Sequence, residues 1–166
     1  IEESAYKLAA TLMQAHKDLS NMVWQRAAKH EMGAGLEAGT PWLRPALDAI
    51  KYLNKADKCT EARGLAYSLV GTYMEEPIMS IDGSPEDLLC KRCNAGVKAT
   101  RCHEIWQCAK TLESKREEIV ATNGLCEEAV QGWEHASCFW GRGIVPADWI
   151  QVADEVDPST ARGWKT

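Results

Sequence analysis

Residues 3–32 read ESAYKLAATLMQAHKDLSNMVWQRAAKHEM, and this stretch decides the fold class. Ala5, Leu8, Leu12, Ala15, Leu19 and Met22 recur at alternating spacings of three and four, the period of one face of an α-helix. Ala9, Met13 and Val23 widen the stripe. Gly33 and Gly35 follow and end it, because glycine takes the left-handed cap conformation freely. The expectation is a helix over about 3–32 whose stripe faces a core. A coiled-coil dimer is set aside, because the pattern stays near three heptads and Arg26 takes the next seam position.

The same punctuation continues downstream. Thr40-Pro41 is a capping hydroxyl followed by a first-turn proline, and Leu43, Leu47, Ile50 and Leu53 form an apolar face behind it. Thr60-Glu61 opens another helix through Leu65, Leu69 and Tyr73, closed by Glu76-Pro77. Residues 77–84 form a connector, and Ser84-Pro85-Glu86-Asp87 starts a short helix. Ile105, Ala109, Leu112, Ile119 and Val120 suit a helix ending at Asn123-Gly124, and residues 126–140 resume helical spacing until Gly141. Pro146 opens a last short helix, and Trp140 and Trp149 are expected to pack on each other across the intervening turn. No apolar–polar alternation is long enough for a sheet; Ile144 and Val145 begin a short strand at most.

These spacings predict an all-α protein, an irregular bundle of about six or seven helices. The 166 residues fit a single domain over 1–166, with a small Cys/His-rich, zinc-finger-like insertion at 84–110. No apolar run reaches the ~18 residues of a membrane span. The chain opens on Ile1 rather than Met and has no Asn-x-Ser/Thr sequon. The expectation is an intracellular protein, cytoplasmic or nuclear, with secretion after leader removal as the alternative.

The chemistry is concentrated in one place. Cys90-Lys-Arg-Cys93 is followed by Cys102-His103 and then Cys108. A Cys-x-x-Cys turn offers two thiolates to one tetrahedral zinc, and a second pair must come from nearby chain. On an ideal helix Cys102 and Cys108 lie about 240° apart and His103 and Cys108 about 140° apart. Cys90, Cys93, His103 and Cys108 are therefore the expected ligands, with Cys102 as the alternative to His103. A disulfide framework is the competing reading, although seven cysteines leave one thiol over in a monomer. Cys126, His135 and Cys138 cannot converge along one continuous helix, and the two cysteines are read as buried small residues.

Net charge is −5, yet residues 88–116 hold seven basic residues against Glu104 and Glu113 alone, a local charge of +5. Lys91, Arg92, Lys98 and Arg101 are the expected partner-binding residues, since a positive patch attracts an acidic protein or a phosphate backbone. No phosphate loop, nucleophile elbow or His-Glu-x-x-His is present. The expected function is a non-enzymatic interaction module stabilised by structural zinc. It binds a protein partner first and nucleic acid second, with no membrane. Two alternatives stand beside it: a secreted disulfide-bonded helical protein that binds a receptor or small apolar ligand, and an enzyme with an unrecognised Cys/His site.

Overall fold

The computed structural model describes residues 2–71 and 88–150. Among them the chain is helical and forms no strand, as the spacings predict. The elements are α1 (Glu2–Ala27), α2 (Arg44–Lys55), α3 (Cys59–Val70), a π-helical turn (His103–Gln107), α4 (Ala109–Leu112), α5 (Glu117–Thr122), a 3-10 turn (Asn123–Leu125) and α6 (Cys126–Arg142). Residues 147–150 are helical behind Pro146. The connector at 77–84, the helix start at Ser84, the Glu76-Pro77 terminus and the tail beyond 150 lie outside the described residues.

Several boundaries differ from the expected ones. α1 stops at Ala27, not Met32. Residues 28–33 wind on as tight turns, with the amide of His30 donating to Ala27 O (3.1 Å) and that of Gly33 to His30 O (2.9 Å). α2 starts at Arg44 rather than at Thr40-Pro41, and Pro45 fills its first turn. The reason is tertiary: the Trp42 amide donates to Val145 O (2.9 Å), so Trp42 is extended backbone. α3 closes at Val70, where Gly71 supplies the left-handed cap (φ 70°). The helix expected through residue 123 is split at 113–116 into α4 and α5. Gly141 lies within α6, and Gly143 (φ 72°) is its cap.

Two clusters organise the packing. In the first, Leu36, Cys138 and Ile144 are buried, with Trp24, Ala27, Leu43 and Leu69 packed around them. Arg142 ties α6 to α3 by donating through Nε to Leu69 O (3.0 Å). The second is the Cys90, Ala99 and Cys108 cluster. An aromatic group joins this region to α6: Trp106 meets Trp140 edge-on (ring centroids 5.7 Å), and Phe139 touches both Trp140 and Trp149. Trp149 thus packs on Phe139, where the sequence reading paired it with Trp140. Truncating fully buried Ile144 (Ile144→Ala) is expected to cost about 2–5 kcal/mol, measurable by denaturant titration.

The expectation for α1 is overturned. Its stripe does not face a core: Leu8, Leu12, Leu19 and Met22 are exposed, as are Met13 and Val23. Only the last turns, at Trp24 and Ala27, join the first cluster.

Burial makes Cys138 inert. It pushes the thiol up to about 12 from the ordinary 9.0, and the thiolate is the nucleophile. Iodoacetamide on the native protein should label exposed Cys59 and spare Cys138. A proton retained only in the folded state also means that stability falls as pH rises from about 9 towards 12, since the unfolded chain ionises first.

Candidate metal centre

The first pair of thiols sits on a tight turn. Leu89 and Lys98 form an isolated antiparallel bridge, flanked by amide donation from Cys90 to Val97 O (2.8 Å) and from Ala99 to Leu88 O (2.9 Å). Between these, the Asn94 amide returns to Cys90 O (3.1 Å). Asn94 (φ 51°) and Gly96 (φ 69°) take left-handed backbone, which asparagine tolerates and glycine adopts at no cost. The turn folds Cys93 back beside Cys90. Burial raises the Cys90 thiol, opposed by the amides of Cys93 and Arg92 beside its sulfur.

The second pair depends on an unusual turn. Thr100 starts it, accepting from the His103 amide at Oγ1 (3.1 Å) and from the Glu104 amide at its carbonyl (2.8 Å). The chain then winds as a π-helix, and the Cys108 amide donates to His103 O (2.7 Å). An i→i+5 bond wraps five residues into about one turn. That brings His103 and Cys108 to one side, where an α-helix would hold them about 140° apart. Cys108 is extended (φ −70°, ψ 120°) and stands at the head of α4. Burial pushes its thiol up, but the Thr111 and Lys110 amides and the neighbouring Cys90 and Cys93 thiols outweigh that, leaving it below an ordinary cysteine.

These turns bring Cys90, Cys93, His103 and Cys108 together. Their four ligand atoms lie within 4.8 Å of one another, so the group could hold a metal ion. Two edges can be compared with a real centre. Tetrahedral zinc with bonds of about 2.3 Å to sulfur and 2.05 Å to nitrogen sets S···S near 3.8 Å and S···N near 3.6 Å. Cys90 Sγ and Cys108 Sγ are 3.9 Å apart, and Cys93 Sγ and His103 Nε2 are 3.5 Å apart. Cys90, His103 and Cys108 are buried. Cys102 is half-buried outside the group, its thiol raised by burial. The choice of His103 over Cys102 agrees with this arrangement.

All seven cysteines are free, and this is the one such His/Cys/Asp/Glu cluster among the described residues. Cys126 is half-buried and His135 exposed, so neither joins Cys138 in a second site. His16 and His30 are exposed.

The basic residues divide. Lys91, Arg92 and Lys98 are exposed around the hairpin. Arg101 is turned inward and pairs at 4.0 Å with Glu104, whose side chain is only 2% exposed. Sequence reasoning missed Glu104 as a buried acid; its position as one of two acids in a basic stretch was the available signal. It also missed the anchors behind the turn. Trp106 Nε1 donates to Trp140 O (3.0 Å), and Thr111 Oγ1 donates to Glu104 O (2.7 Å). Both hold the π-turn in place, the first against α6 and the second against α4.

Comparison with known proteins adds no relative to this picture: no family model, no curated protein and no solved structure matches the chain.

Proposed function

We infer that this protein is a non-enzymatic interaction module in which Cys90, Cys93, His103 and Cys108 hold one structural zinc ion. The observation that carries the reading is the closed, mostly buried Cys3His set, with two ligand–ligand edges at tetrahedral zinc spacing. Four protein ligands leave no open position for a substrate or activated water, which favours a structural over a catalytic ion. Soft thiolates select zinc over calcium or magnesium. Reduced cysteines, which the site requires, favour an intracellular compartment.

The hairpin that supplies two ligands also presents Lys91, Arg92 and Lys98 to solvent. Three cations on a rigid turn suit an acidic protein surface, and the ion serves to hold that turn in shape. Acidic peptides are expected to bind with an affinity that falls as salt rises. Charge reversal at Lys91, Arg92 and Lys98 together should abolish binding and leave zinc content unchanged. Fluorescence anisotropy against acidic peptides and against RNA and DNA tests this. Binding that survives the triple reversal refutes the surface, and tighter binding to nucleic acid moves the partner class to phosphate backbones.

A further inference from the structure

The exposed seam of α1 needs a partner. Leu8, Leu12, Leu19 and Met22 are 61%, 62%, 61% and 66% exposed, and no element among the described residues packs extensively on α1; Ser20 Oγ meets Thr40 Oγ1 (3.1 Å) near its C-terminal end. A run of large apolar side chains on one helix face marks an interaction surface. A helix in water also draws most of its stability from packing its apolar face.

The form of the seam identifies the occupant. Positions 5, 8, 12, 15, 19 and 22 follow a strict three–four alternation, the a/d repeat of a two-helix coil. Ala9, Met13 and Val23 widen the stripe, but its exposure removes the core-facing role that set helix pairing aside on spacing alone. A straight surface with this repeat fits another helix of the same repeat, and among the described residues α1 is the helix that leaves such a stripe exposed. The flanking positions hold Ala9, Thr11, His16, Asp18 and Val23. They include a single carboxylate and no lysine or arginine, so a second copy meets no row of like charge.

Side-chain volume and the position of the body then choose the direction. Side by side in the same sense, Ala15 faces Ala15 and leaves a thin layer between layers of leucine. Run in opposite senses about a two-fold axis near residues 13–14, Leu12 faces Ala15 and Leu8 faces Leu19, which evens the layers. The C-terminal end of α1, at Trp24 and Ala27, is fastened to the first core cluster. Opposed helices of about 39 Å place the two bodies at opposite ends, where they do not collide. We propose that α1 pairs with α1 of a second copy of this chain as a short antiparallel coiled coil, with Leu12 of each chain against Ala15 of the other. The two-fold then gives an isologous, closed dimer, and it presents two metal-centred hairpins.

Sedimentation of the full chain tests the pairing. A concentration-dependent dimer is expected, and Leu12→Glu should convert it to monomer without changing metal content. Ala15→Lys alone should do the same. Mixing the two variants should restore a dimer, because glutamate 12 of one chain then faces lysine 15 of the other while a native Leu12–Ala15 contact remains. A helix pair in the same sense places 12 against 12 and gains nothing from mixing. A wild-type chain that stays monomeric at high micromolar concentration overturns the proposal, as does a dimer that survives Leu12→Glu. A monomer whose melting temperature drops in Leu12→Glu also overturns it, since the seam is then covered by the chain's own segment. A dimer lost in Leu12→Glu but not regained on mixing overturns the antiparallel register.

Discussion

Cys93→Ser is expected to release the metal, and the chain between residues 88 and 112 should loosen while the first core cluster stays folded. In zinc-finger peptides the ion contributes about 10–16 kcal/mol of binding energy at neutral pH, much of it realised as folding. The Cys90–Cys108 region buries little apolar surface beyond Ala99 and the thiols themselves, so a bound ion would take the place of a core here. The Leu36–Cys138–Ile144 cluster stands apart from it in α6 and its neighbours. Elemental analysis should fall from one zinc per chain to near zero in Cys93→Ser, and stay at one in Cys59→Ser and Cys102→Ser. Hydrogen exchange should then rise sharply in the hairpin and the π-turn and change little in α6. Full zinc retention in Cys93→Ser, or equal loss in Cys102→Ser, would falsify the ligand assignment. A chelator should reproduce the effect on the native protein, whereas a reductant should leave the metal-bound protein unaffected.

Gly33→Ala is expected to be the most damaging methyl group added outside the metal centre. A Cβ there would overlap Ala27 O and stand 2.8 Å from the Cα and carbonyl carbon of Ala28. Those are backbone atoms of the α1 exit, which cannot rotate away as a side-chain tip can. The exit also carries the first cluster: Ala34 N donates to Ser137 Oγ (3.2 Å) and the Cys138 amide donates to Ala34 O (3.1 Å). Overpacking of this kind costs about 1–3 kcal/mol and more where backbone must move, so a loss of about 3 kcal/mol is expected. For a chain of this size that lowers the melting temperature by roughly 6–12 °C. Gly64→Ala is the contrasting control. Nothing lies within 4 Å of its Cβ position on α3, and alanine there should gain about 0.5–1 kcal/mol through helix propensity and a less flexible unfolded chain. Equal melting temperatures for the two variants would contradict the packing described at the α1 exit.

What the amino-acid order determined by itself was whatever depends on neighbours a few residues apart. The three–four spacing of Leu8, Leu12, Leu19 and Met22 makes a helix wherever that segment lies, and helices followed in the same way for Leu47 to Leu53 and for Val130 to Trp140. Cys90-x-x-Cys93 makes a pair of neighbouring thiols, because a short turn suffices to bring two such side chains together. Arg26 interrupts the apolar seam and Pro146 opens a helix for equally local reasons.

Only the tertiary structure decided which faces are covered and where elements yield. The stripe on α1 reads identically whether a core or solvent lies against it, and its exposure follows from where α2, α3 and α6 pack. Trp42 became extended because Val145, a hundred residues away, takes its amide. His103 and Cys108 met because the chain wound as a π-helix, which no 3.6-residue period encodes. Thr100 at its start, the Trp106 anchor on α6 and the Thr111 bond to Glu104 hold that turn. Arg101 looked like one more cation of a basic surface and was turned inward by a buried carboxylate. In each case the deciding free energy comes from burial and hydrogen bonding between segments distant in sequence, and local spacing carries no record of those partners.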